Sequence, residues 1–175
     1  MHRLSEFVER ATDVDVVTDL MIHDIDIVLS LVRSELKYVS AVGASIVTNH
    51  VDIANARLEF ENGAIANVTA SRVSAKRFRR IRVFADACYL ALNFEDQQIE
   101  ISRPGKRPPD GRFAPIINSS IQVEPTPPLD SELAHFVDCV RKGKQPLVTG
   151  SDGLQALKVA YDVREKIEKS RHSLV

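Results

Sequence analysis

The sequence predicts an α+β domain, a largely antiparallel or mixed open sheet with helices packed on one face. Three observations lead there. An apolar segment, Val14 to Val32, opens the chain. A series of short segments with alternating polarity follows it, and two amphipathic helical segments close it. At 175 residues the chain has the length of one domain, 1–175. Its 44% apolar content is enough to build a core, which excludes wholesale disorder.

The elements follow in order. Val14 to Val32 reads as a helix that is apolar nearly all round, a pattern that implies burial. A strand begins at Val39 and runs to Thr48. In Ile53–Phe60, residues Ala54, Ala56, Leu58 and Phe60 share one face; after Glu61-Asn62-Gly63, Ala64, Ala66, Val68 and Ala70 repeat the alternation. A two-residue Asn62-Gly63 turn would set Leu58 against Asn67 and mix the faces. A three-residue loop with Gly63 left-handed pairs Leu58 with Ala66, Ala56 with Val68 and Ala54 with Ala70, so the three-residue loop is expected.

Further strands are expected at Phe78–Ala85, Cys88–Phe94, Gln98–Ser102 and Phe113–Val123, the last two separated by a proline-rich polar loop. Leu129, Leu133, Phe136, Val137 and Val140 then form one face of an amphipathic helix ending before Gly143. A final helix carries Leu154, Leu157, Ala160, Tyr161 and Ile167, with Ser151 or Asp152 as its cap. The alanines 54, 56, 66 and 70 suit close packing against another layer.

Composition narrows the partners. A net charge of −1 gives no field to attract nucleic acid, and with 6% aromatics and no Trp there is little for bases to stack on. No apolar run reaches the ~20 residues that span a bilayer, and Met1-His2-Arg3-Leu4-Ser5-Glu6 lacks a signal-peptide core. The two cysteines, Cys88 and Cys139, make no disulfide framework and read as small packed hydrophobes; a cytoplasmic setting is expected.

The first helix carries the chemistry. Asp19, His23, Asp26, Ser30 and Arg33 recur at helical spacing as one polar stripe, with Asp24 beside it. A carboxylate one turn from an imidazole fixes its orientation and stabilises the imidazolium, which equips the pair as a general base. The same stripe also reads as an ordinary solvated face. A third reading is a metal site, His23 with Asp19, Asp26 or His50 on Zn or Mn, although the helix alone falls short of a ligand set. Five basic residues between Lys76 and Arg82, with Arg72 upstream, read either as a charged edge strand or as contacts to a phosphate. His2, His50, His135 and His172 show no partner pattern. The glycines (43, 63, 105, 111, 143, 150, 153) never form a G-x-G-x-x-G or a P-loop, so no Rossmann domain is present.

Asp19-Leu20-Met21-Ile22-His23-Asp24-Ile25-Asp26 resembles the D-x-x-x-H helix of the glucose-fructose oxidoreductase / inositol dehydrogenase / MocA family. Leu58 to Ala64, Asn67 to Arg72 and Gly150 to Leu157 are similar to that family's sheet and last helix. The resemblance covers the family's C-terminal domain only, so the chain reads as an expressed fragment or a truncated gene product. It implies the substrate-binding and oligomerisation domain of an NAD- or NADP-dependent sugar or nucleotide-sugar dehydrogenase. UDP-N-acetylhexosamines are the nearest substrate class, and the product is a ketone formed from a secondary alcohol. His23 would be the acid/base, Asp19 would orient it or hold a neighbouring hydroxyl, and Arg72, Asp15 and Asp26 would bind substrate. No cofactor is expected on this chain alone, which would be inactive in isolation, and a homo-oligomer would form through the sheet. The alternative is a non-catalytic dimerising or sugar-binding sheet module.

Overall fold

Residues 1–9 and 13–172 are described by a computed structural model. Their contacts divide them into two compact units: Met1–Phe78 with the chain from Ala134 onward, and Arg79–Leu133.

In the first unit the strands run in the order β2-β3-β4-β1: β2 (Leu36–Ala44), β3 (Ile53–Phe60), β4 (Ile65–Ser71) and the short β1 (His2–Leu4). Alternation set the hairpin register. Leu58 faces Ala66, Ala56 faces Val68 and Ala54 faces Ala70. Gly63 takes φ +83° in the loop, and Phe60 N–H donates to the Ala64 carbonyl. β1, too short to show an alternation, lies parallel to β4, with Arg3 opposite Ala70.

One face of this sheet is covered by α1 (Ile22–Val32), entered through a π-helical turn at Val17–Met21, and by α3 (Gly150–His172). Met21, Ile25 and Val28 pack with Val159, Ala160, Val163 and Ile167 over Leu58, Phe60 and Val68. Ala54, Ala56 and Ala70 are spent beneath these helices, so the layer they suit belongs to the same chain. The first helix is not buried all round. Leu20, Ile22, Ile27 and Leu29 are half-buried and Leu31 is exposed. The last helix is capped by Thr149, which precedes both expected candidates. Asp152 Oδ2 accepts from Thr149 N–H and Oγ1–H (2.7 and 2.6 Å), and the Thr149 hydroxyl accepts from Asp152 N–H.

The second unit holds an antiparallel meander of β5 (Phe78–Ala85, in this unit from Arg79), β6 (Cys88–Asn93), β7 (Gln98–Pro104) and β8 (Ile116–Gln122). Its basic residues are used one by one: Arg80 pairs with Glu100 at 2.7 Å, and the Arg79 guanidinium sits 4.1 Å from the centre of the Phe94 ring. β8 is exposed throughout, including Ile116, Ile117 and Ile121.

Between the last strand and the last helix runs α2 (Pro128–Lys142). Its apolar stripe, Leu129, Leu133, Phe136, Val137 and Val140, forms at the expected spacing but faces outward, while Cys139 is buried. His135 is far from incidental. Its Nε2 accepts the Leu147 N–H at 3.0 Å and lies 3.6 Å from Cys139 Sγ, folding the following loop back along the helix.

Candidate functional site

The start of the first helix is held from four directions, and each hold has a residue-level cause. Asp15 caps it: Oδ1 accepts from Val17 N–H, Thr18 N–H and Thr18 Oγ1–H at 2.8–3.0 Å, leaving fewer of the first-turn donors orphaned. The other oxygen, Oδ2, pairs with Arg164 Nε of α3 at 2.6 Å. Val16 N–H donates to the Val51 carbonyl, and Arg72 Nη2 donates to the Val14 carbonyl at 2.6 Å.

Arg72 is only 5% exposed and stands beside a second buried acid, with Nε 3.8 Å from Asp52 Oδ1. Asp52 Oδ2 accepts three successive backbone N–H groups, Ile46, Val47 and Thr48, at 2.7–2.9 Å, and Oδ1 accepts the Thr48 hydroxyl at 2.7 Å. Burial pushes this carboxyl up, but the hydrogen bonds led by Thr48 and Ile46 outweigh it and bring the pKa down to about 2.

Asp24 is 1% exposed on the helix face that carries Met21 and Ile25, and it meets Arg3 of β1 in a two-pronged bond at 3.0 and 2.7 Å. Sequence reading passed over Arg3, Asp52 and Arg164. The one available signal was Asp24 itself, a carboxylate on the most apolar face of its helix.

On the opposite side lie the stripe residues. Asp19 falls inside the π-helical turn, which closes with Ile22 N–H bonded to the Val17 carbonyl five residues back. A π turn inside an α-helix takes in an extra residue and re-aims the side chains around it, a device frequent at functional sites. Asp19 is half-buried and His23 is exposed. Among the described residues no hydrogen bond joins their side chains. Asp26 is half-buried one turn further on. Burial first, and the Asp152 carboxylate second, hold it above the ordinary carboxylate range, with His23 acting in the opposite sense.

The structure therefore gathers Asp19, His23 and Asp26 along one accessible side of the helix. It places Asp15 and Arg72 beneath the helix start, engaged with backbone and with charge partners. Asp26 also opens onto a groove of about 800 Å³ between the second half of α1 and the loop entering α3. Among the described residues no three His, Cys, Asp or Glu side chains converge as a metal site requires, and no helix is long and apolar enough to cross a membrane.

Comparison with known proteins gives a consistent result. Residues 2–90 match the model of the GFO/IDH/MocA C-terminal domain. The chain is 32% identical over 166 residues to the UDP-N-acetylglucosamine 3-dehydrogenase of Acidithiobacillus ferrooxidans, a match covering 95% of this chain and 53% of that protein. A solved structure of that enzyme superposes with a TM-score of 0.87 at 31% identity, covering 96% of this chain and 53% of the other. The scyllo-inositol 2-dehydrogenase (NAD(+)) of Bacillus subtilis is 30% identical over 164 residues, 89% of this chain and 45% of that enzyme. The chain thus spans about half the length of these relatives.

Proposed function

The chain belongs to the GFO/IDH/MocA C-terminal domain family, and from that membership we propose that it is the substrate-binding half of an NAD(P)-dependent cytoplasmic dehydrogenase acting on a nucleotide sugar, with a UDP-N-acetylhexosamine the favoured class. The observation that carries this reading is the placement of Asp19, His23 and Asp26 on the accessible side of a helix whose start is fixed by buried charge pairs. Preorganised donors and acceptors on rigid elements are what proton transfer requires.

The chain's own residues do not fit the role of dinucleotide cradle, since none of its glycines falls in a phosphate-binding pattern. In such an enzyme a nicotinamide dinucleotide held outside this chain would supply the acceptor for the hydride of the carbinol carbon, and this chain deals with the proton. His23 removes it from the secondary hydroxyl, leaving the ketone. Asp19 stabilises the imidazolium that forms. Asp26 meets a neighbouring hydroxyl of the sugar. Asp15 and Arg72 serve by holding the helix start in place. The outward apolar residues Phe84, Ile116, Ile117 and Ile121 support self-association through the sheet of the second unit.

The test is turnover of UDP-N-acetylglucosamine with NAD⁺ or NADP⁺ by the full-length protein carrying His23→Ala. A fall in kcat of roughly 10²–10⁴ is expected, the weight of a positioned general base, without loss of stability, because His23 is exposed. Unchanged turnover refutes the assignment. It would favour a non-catalytic sugar-binding or dimerising module, the reading to which the missing Asp19–His23 hydrogen bond lends weight.

A further inference from the structure

The first helix is entered through a turn that holds one residue too many. Ile22 N–H bonds to the Val17 carbonyl, whereas in unbroken α geometry it would meet the Thr18 carbonyl. The extra residue has a cause at each end. After the turn, Met21 and Ile25 are wholly buried in the core, and Asp24 is bound to Arg3. Before it, Val16 and Val17 are equally buried, and Asp15, Val16 and the Val14 carbonyl are tied to other elements. The π turn absorbs the mismatch between two fixed ends. Closing it to α geometry would swing the residues before it by roughly 100° around the axis, the rotation per residue of an α-helix, and Asp19, inside it, by part of that.

We propose that Arg164 of the last helix is a positioning residue for the proton transfer assigned to His23 and Asp19, because through Asp15 it keeps this turn in π geometry. The inference rests on the reading of the chain as part of a dehydrogenase. The bonds to Val16 N–H and to the Val14 carbonyl stop short of the turn. Asp15 reaches into it. Its Oδ1 accepts from the Val17 and Thr18 amides and the Thr18 hydroxyl, and its carbonyl accepts Asp19 N–H at 3.0 Å. A carboxylate engaged through one oxygen pivots about it unless the other is held, and Arg164 Nε holds Oδ2 at 2.6 Å. The guanidinium is itself set in place, 5.4 Å from the centre of the Tyr161 ring on the same helix. By this route α3 sets the aim of Asp19. Asp15 and Arg164 also line a cavity of about 140 Å³ beside His50, so water can replace the guanidinium and the fold survives its loss.

The experiment compares Arg164→Met, Arg164→Lys and Gly63→Ala in the full-length protein. It measures turnover of UDP-N-acetylglucosamine with NAD⁺ or NADP⁺, and amide hydrogen exchange over residues 17–22. Arg164→Met should lower kcat between about tenfold and a hundredfold, the cost of a group misaimed from a distance, and change KM less than about twofold. Exchange over 17–22 should speed up by about tenfold as the turn loosens. Arg164→Lys keeps the charge without the planar fork and should recover most of both losses. Gly63→Ala strains the hairpin loop, which contacts the chain after the first helix, and should leave kcat and this exchange unchanged. An unchanged kcat in Arg164→Met overturns the proposal, as does a fall in kcat without faster exchange. An equal loss in Gly63→Ala also overturns it by tracing the effect to stability, and a KM that rises while kcat holds does so by placing Arg164 on the substrate. A wild-type protein that turns over no nucleotide sugar removes the functional reading instead. Exchange then decides whether Arg164 holds the turn: faster exchange in Arg164→Met supports that hold, and unchanged exchange overturns it.

Discussion

Replacing Asp52 by Asn tests the scaffold beneath the helix start. The carboxylate is wholly buried and holds four donors. Its pKa of about 2 in the folded chain, against 3.8 as reference, is a linkage statement. The unfolded chain takes up the proton at higher pH, so the stabilisation is complete above the unfolded value and is lost as pH falls through the folded one. At 1.36 kcal/mol per pKa unit the difference contributes about 2 kcal/mol at neutral pH.

Asparagine keeps one acceptor oxygen and turns an NH₂ group toward donors, which adds roughly 1 kcal/mol for a buried donor left unmet. Asp52→Asn should therefore cost about 3 kcal/mol at pH 7, or about 6–12 °C in Tm for a chain of this size. The cost should shrink by about 1 kcal/mol at pH 3, where the wild-type carboxylate has lost part of its advantage. Urea unfolding followed by circular dichroism at both pH values measures this. A penalty that does not change between pH 7 and pH 3, or one under 1 kcal/mol at pH 7, would refute the argument.

Three other outcomes follow from the same structure. Arg3→Met strands the buried Asp24 carboxylate and should cost about 3–5 kcal/mol in urea unfolding; a loss below 1 kcal/mol would mean the pair is not desolvated as described. Asp26→Asn should raise stability at neutral pH and do less at pH 3, because burial and Asp152 disfavour the ionised carboxylate; destabilisation at pH 7 would contradict this. Gly63→Ala meets no neighbouring atom but must hold φ near +83°, and should cost about 1–2 kcal/mol; a neutral result would show that the loop relaxes to another turn.

Local pattern made the β3–β4 hairpin legible down to its register, because a one-residue slip turns Leu58 and Val68 to the wrong face and only one loop length avoids it. The same logic placed β5 and β6 and the two closing helices. It could not find β1, whose three residues have no period to read and whose place depends on a strand distant in sequence. The candidate site was legible as a stripe, because Asp19, His23 and Asp26 keep helical spacing. The π turn beneath Asp19 left no mark in the spacing. Nor did the supports: Arg72, Arg3 and Arg164 act through partners on other elements, which only tertiary structure brings together, and the local donors to Asp52 are mostly backbone N–H groups of residues 46–48, which carry no side-chain signal. The outward stripe of α2 shows the converse limit. Periodicity reports that a face is apolar, and it is silent on whether the covering surface lies within the same chain.

The parallel docking of β1 also has a kinetic side. His2, Arg3 and Leu4 find their partners at Thr69, Ala70 and Ser71, so the strand closes a long loop for very few bonds, and the entropy of closure falls due before those bonds form. The hairpin and the two helices over it can assemble first. β1 then acts as a latch, the last element to seat and the first to lift. Substitutions at Arg3 should accordingly speed unfolding and leave the folding rate nearly unchanged, while substitutions at Leu58 or Val68 slow folding; stopped-flow rates distinguish the two. By this account, Arg3 governs how long the folded state lasts, and the hairpin core governs how soon it is reached.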